Sequence, residues 1–190
     1  MDPSAARRRW WGERDAHLRQ IHAFSFVVPS RLKRSTTQRP ANLRFAQHLP
    51  ASRLVRLLLL AAAPAYTALQ VSQGSELGRA ISFALILAAV IFVASTLRLT
   101  VSNSGISFDI AGVRQVSSFA FVPLYAVRDA RLGTAPRDWP KARLRGGWWP
   151  GRRRISVLHL DESGAARAFQ VWVADPQAFG LAVLGRQMSD

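Results

Sequence analysis

Four histidines, His17, His22, His48 and His159, are the first candidates for acid–base or metal chemistry, and no cysteine joins them. Three of the four precede residue 50, none has a metal-ligand spacing, and His159 lies in a strand-like segment where a structural role is the ordinary one. Carboxylates offer little more. Asp161 and Glu162 fall in a turn signal, Asp175 stands where a helix cap is expected, and Asp109, Asp129 and Asp138 form no recognisable pair. There is no nucleophile elbow and no glycine loop of the kind that cradles phosphate. The absence of cysteine excludes disulfides, thiolate metal sites and cysteine nucleophiles, and leaves the redox compartment undecided. The residues predict a protein that is not an enzyme and needs no cofactor or metal.

Arginine and tryptophan are the types that do gather. Trp139-Pro-Lys-Ala-Arg-Leu-Arg-Gly-Gly-Trp148-Trp149-Pro-Gly-Arg-Arg-Arg154 alternates aromatic and cationic residues in a Pro- and Gly-containing loop. Arginines pair with lipid phosphates while tryptophans settle at the headgroup level, so the segment suits an anionic leaflet. The same chemistry serves a protein partner anchored by Trp and Arg, or single-stranded nucleic acid through stacking and charge. Against these stands a solvated loop whose tryptophans cap the domain. The candidate lipid or partner contacts are Arg143, Arg145, Trp148, Trp149, Arg152, Arg153 and Arg154, with nucleic acid the least favoured ligand.

The elements that must position this loop follow from where charge is absent. The 190 residues carry a net charge of +15 although 49% are hydrophobic, so the two properties occupy different segments. Met1–Arg56 and Arg98–Asp190 are basic, while the only charges between them are Glu76 and Arg79. With lysine confined to Lys33 and Lys141, the arginine excess reads as a GC-rich bacterial codon bias and not as selection for bidentate anion binding. Ala80–Leu97 has no charge, Gly or Pro, and as a helix would extend roughly 27 Å against a hydrocarbon core of about 30 Å. Residues 54–73 form a weaker segment, with Arg56 one turn in and Pro64 predicting a kink. The short link between them forces an antiparallel hairpin. Small residues at Ala61 and Ala65, and at Ala80, Ala84 and Ala88, suit close approach of the two backbones. Arg44, Arg53, Arg56 and Arg98 flank the hairpin, and by the positive-inside bias both termini are cytoplasmic.

Residues 1–50 lack sustained periodicity and read as a basic, largely disordered arm, with a short helix near Gly12–Ala23. After the hairpin the period changes to that of strands. Leu97–Val101 and Ile106–Ile110 alternate around Ser102-Asn-Ser-Gly105, with Ile106, Phe108 and Ile110 on one face. Phe119–Val122, Arg128–Leu132, Arg154–Leu160 and Arg167–Val173 are further strands, with a loop over 133–151 and a hairpin turn at Asp161–Ala165. Asp175-Pro176 opens a final helix to about Gln187, whose apolar stripe is Phe179, Val183 and Leu184.

This order of elements, with the segment Phe121-Val-Pro-Leu-Tyr-Ala-Val-Arg-Asp-Ala-Arg-Leu132, resembles the bacterial pleckstrin-homology-like (PH-like) domains attached to two-pass membrane hairpins in small actinobacterial proteins. The resemblance covers residues 97–187 and implies a bent, partly open β-barrel or sandwich plugged by the terminal helix. The Lys/Arg pattern of phosphoinositide-binding eukaryotic members is not recognisable, so that activity is not implied. The expected fold is therefore a membrane α-helical hairpin of two transmembrane helices (54–73 and 80–97) after the arm 1–50, followed by a mainly antiparallel β, PH-like domain (98–190) with a C-terminal helix. The expected function is a non-enzymatic, membrane-anchored binding or scaffold module at the cytoplasmic leaflet of the plasma (inner) membrane. An accessory subunit of a membrane complex, or a basic nucleic-acid-binding protein, are the alternatives.

Overall fold

The computed structural model describes residues 3–22, 43–110 and 119–188. Eight strands form two four-stranded sheets. The first has the order β1 (Leu43–Leu49), β2 (Leu97–Ser102), β3 (Gly105–Ile110), β4 (Phe119–Pro123), antiparallel throughout. In the second the order is β5 (Val127–Leu132), β7 (Arg153–Leu160), β8 (Ala166–Val173), β6 (Arg143–Arg145), with only β6 running parallel to its neighbour. Alternation along the strands buries one face of each. Leu99, Val101, Ile106, Phe108 and Val122 from the first sheet meet Ile155, Val157, Phe169, Val171 and Val173 from the second. Phe108 stands edge-on to Phe169 at 5.1 Å between ring centres, an arrangement that aromatic quadrupoles favour.

The C-terminal helix α4 (Pro176–Leu184) begins as its sequence predicts. Asp175 caps it, accepting from the Ala178 N–H at 2.9 Å, and Pro176 stands in the first turn. It ends at Leu184, earlier than Gln187, because Gly185 takes the left-handed conformation (φ 69°) and its N–H bonds the Leu181 carbonyl. Packing against β5, β1 and β2, α4 closes the seam between the β1 and β5 edges. Phe179 is fully buried there, edge-on to Phe45 at 5.5 Å.

The expectation for residues 1–50 is corrected in two places. Pro3–His22 is a twenty-residue helix, α1, in place of the short one expected near Gly12–Ala23, and Leu43–Leu49 is strand β1; residues 23–42 lie outside the described residues. Helix α1 packs on the outer face of the first sheet, burying His17 and Ile21. Strand β1 pairs with β2 from Leu43↔Ser102 to Leu49↔Leu97. Gln47 ties this strand to the second sheet, donating to the Trp172 carbonyl and accepting from the Ala174 N–H. The division into arm, hairpin and β domain is therefore redrawn: the helical hairpin is an insertion between two adjacent strands of one sheet.

That hairpin consists of α2 (Arg53–Ser72) and α3 (Leu77–Ala94). Ser52 caps α2 by accepting from the Val55 N–H. Pro64 lies inside it, one turn before the Thr67 hydroxyl that donates to the Ala63 carbonyl. Leu97, expected to end the second helix, instead opens β2. None of α2 is buried, and of α3 Ala80 and Ala84 are. Those two alanines meet the expectation of close approach. Ala61 and Ala65 do not, since both are exposed; Ala63, Tyr66 and Thr67 are the more sheltered residues, and Tyr66 stacks on Phe83 at 5.8 Å. The remaining faces carry uncovered Leu, Ile, Val and Phe, with Leu60 73% exposed. By length and apolarity α2 is sufficient to cross a membrane, whereas the apolar stretch Leu77–Phe92 is shorter.

Candidate functional site

The arginine–tryptophan segment predicted as one loop is divided among three places. Its Trp148, Trp149 and Arg152 gather at the root of the hairpin, where β1 gives way to α2. Gly147 makes this possible: its N–H bonds the Pro50 carbonyl at 2.8 Å, and a Cβ in its place would strike the Ala51 carbonyl. Gly146 (φ 71°) turns the chain in a conformation that side chains disfavour and rests against Leu49. Arg56 then fastens the loop, donating through Nε to the Ala51 carbonyl (3.0 Å) and through Nη2 to the Trp148 carbonyl (2.6 Å). From the other side Arg152 donates to the His48 carbonyl at 2.7 Å.

The guanidinium of Arg53 lies 5.3 Å from the Trp148 ring centre, and that of Arg56 5.9 Å from Trp149. Both tryptophans remain partly open to solvent, at 38% and 46%. A collar of three arginines and two indoles thus surrounds the first turn of the apolar hairpin, with the backbone carbonyls of 48, 51 and 148 satisfied by charged donors. Burial pushes the Arg152 guanidinium below its usual range. Arg53 and Arg56 belong to this site, although sequence reasoning treated them only as flanking charges. The signal available was their i, i+3 spacing in a capped first turn.

Arg153 and Arg154 do not join the collar. They start β7, where Arg153 is exposed and Arg154 lies across the Trp172 ring at 4.7 Å from its cross-strand position. Arg143 and Arg145 form β6 and line a cavity of about 490 Å³ at the seam between the β4 and β6 edges. Burial first, and then the neighbouring charge of Arg143, hold Arg145 below its usual range. His159 lines the same cavity; burial lowers it chiefly, against the opposing effect of its bond to the Leu160 carbonyl (2.9 Å).

A polar cluster that the sequence did not reveal lies under α1. His17 Nδ1 is 2.7 Å from the Ser102 hydroxyl and Nε2 is 2.8 Å from that of Ser107, which also donates to Asp109 (2.8 Å) and meets Thr100 (2.8 Å). Burial, followed by the charge of Arg98, lowers His17 to about 4, so the ring is neutral at physiological pH. Though histidine, serine and aspartate meet here, all three are fully buried, so a substrate has no approach to them. The cluster fastens α1 to the sheet. Among the described residues no group of His, Asp and Glu has the arrangement of a metal site.

No family model, no curated protein and no solved structure matches the chain. The functional reading therefore rests on the geometry alone.

Proposed function

We propose that the protein is a membrane-anchored, non-enzymatic binding module, with α2 and α3 crossing the plasma membrane and the β domain held at the cytoplasmic leaflet. The observation that carries this reading is the uncovered hairpin. Two helices apolar on nearly every face pack against each other, and among their described side chains only Ala80 and Ala84 are buried. Water is a poor solvent for such a surface, and lipid a good one.

The collar supports the same reading. Tryptophans and arginines at the end of a spanning helix match the composition of a membrane interface, where indoles lie among headgroups and guanidinium groups reach phosphates. At the opposite end of the hairpin, Glu76 and Arg79 form an exposed pair at 3.9 Å and cancel. This asymmetry favours a non-cytoplasmic tip and two cytoplasmic termini. Two bent sheets closed at one seam by a capped C-terminal helix are also in keeping with the PH-like resemblance. Tethering would raise the local concentration of the domain, so that modest affinity suffices.

A second reading, an accessory subunit in a membrane complex, draws on a groove of about 580 Å³ between the helices, bordered by Leu60, Pro64, Leu85 and Phe92. Its apolar lining suits another helix.

Reporters fused within the tip after Ser75 and at the carboxy terminus test the topology. The expected outcome is an external signal from the tip and a cytoplasmic signal from the terminus, in a chain that only detergent extracts. Quantitative recovery in the detergent-free supernatant would defeat the proposal.

A further inference from the structure

The cavity between β4 and β6 has no part in the anchoring argument, and its construction is unusual. Helix α4 packs on β5, β1 and β2 at one side of the sandwich, whereas the cavity lies by β4 and β6, the edge strands at the other side, where α1 contributes Trp10. Strand β6 borders this gap. Arg143 and Arg145, two residues apart and so on the same side of the strand, both line the cavity, Arg143 exposed at its mouth and Arg145 half-buried, while Leu144 is 56% exposed on the other side.

The two cavity arginines lack counter-charges among the described residues. Neither makes an ion pair among the described residues, and the buried Arg145 Nε has no hydrogen-bond partner there. The two acids on the wall are already engaged. Asp161 binds Arg167 at 3.0 Å and accepts from Ser163, and Glu162 binds Arg7 at 2.7 Å and accepts from the Trp11 indole. Lys141 adds a further positive charge to the rim. The apolar part of the wall is made by Phe108, Phe169 and Val122 from within the sandwich and by Phe121 and Trp10 from the α1 side. Arg145 itself lies over the Phe108 ring at 5.6 Å, joining the cationic and aromatic halves. A volume of 490 Å³ falls in the range of sites for small organic ligands.

We propose that this seam binds an anionic amphiphile, its phosphate or carboxylate paired with Arg143 and Arg145 and its hydrocarbon portion laid on Phe108, Phe121 and Phe169. Planar guanidinium groups take such oxyanions bidentately, and the ligand supplies the charge that the fold leaves out. Arg145 is followed directly by Gly146, which rests on Leu49 at the hairpin root. On the anchoring proposal, the strand that carries Arg145 ends at the membrane-proximal root of the hairpin; the binding does not depend on it.

The test is native mass spectrometry of the full chain in a neutral detergent, titrated with lysophosphatidate. The expected result is one lysophosphatidate per chain. Binding falls by about tenfold or more in the Arg143→Gln/Arg145→Gln double variant, as loss of charged hydrogen bonds requires. It is retained in the charge-matched Arg153→Gln/Arg186→Gln variant, with thermal midpoints verifying that both fold. Replacing lysophosphatidate by lysophosphatidylcholine of the same chain weakens binding similarly, and inorganic phosphate alone binds more weakly still. Equal loss in both double variants, or equal binding of the two lipids, would overturn the proposal and leave the cavity arginines as a guard against edge-to-edge association. Inorganic phosphate binding as tightly as the lipid would overturn its amphiphile part. Detergent holds the chain whatever its orientation in a cell, so a negative result here and a failed topology map remain separate findings.

Discussion

As a neutral ring, His17 offers one donor and one acceptor, and Ser102 and Ser107 take both. Protonation would put a second donor and a positive charge into a buried site already facing Arg98, with the Asp109 carboxylate reached only through Ser107. The consequence for stability has a definite sign. The folded value of about 4 lies below the ordinary 6.5, so the unfolded chain takes up the proton more readily. The stabilisation is complete above pH 6.5 and is lost as pH falls from there through 4, by up to about 3 kcal/mol. Urea denaturation of the full chain in detergent at pH 7.5, 5.5 and 4.5 measures it. The His17→Gln variant is expected to be less stable at pH 7.5 and to have a shallower pH dependence; parallel curves would refute this role. None of this was legible in sequence. Ser102 reads as the start of a turn, and Ser107 and Asp109 alternate with the core residues Ile106 and Phe108; only the distant α1, itself mostly polar, makes an interior of the face they share.

Elements with local signals were read well. Alternation around Ser102–Gly105 predicted β2 and β3, and Asp175-Pro176 predicted the start of α4. The misses have a common cause, which is pairing across long sequence separations. Strand β1 alternates Leu43, Phe45, Gln47 and Leu49, but its partner lies beyond the whole hairpin, and without β2 seven residues in a polar arm say little. Strand β6 is three residues long, Arg-Leu-Arg with Arg143 and Leu144 both exposed, so it offers no buried apolar alternation to read. For α4, burial makes a firm prediction. Phe179 is fully enclosed and in contact with Phe45, so Phe179→Ala leaves a cavity at the β1–β5 seam. The loss expected is about 3–5 kcal/mol, read from the same denaturation experiment. A loss below 1 kcal/mol would mean that α4 does not hold the seam closed.

At the scale of the molecule, the two basic regions recognised from charge are parts of one body, because the strands on either side of the hairpin lie next to each other. The seven candidate contact residues, close in sequence, are separated by tertiary placement, which the sequence alone did not show. Gly146 and Gly147 turn Trp148 and Trp149 toward the hairpin root, while Arg143 and Arg145, a few residues earlier, face the seam.

The register at the hairpin root has a use in protein engineering. Leu49 and Leu97 are cross-strand partners, so the forty-seven residues between them could be excised and the ends joined by an Asn-Gly reverse turn. The shortened chain would retain every strand while discarding the greasy projection. It is expected to express as a water-soluble monomer with the far-ultraviolet circular dichroism of a β-rich protein. Aggregation of this miniature, with the turn varied in length, would mean that α2 and the Trp148 loop are needed to hold β1 in place.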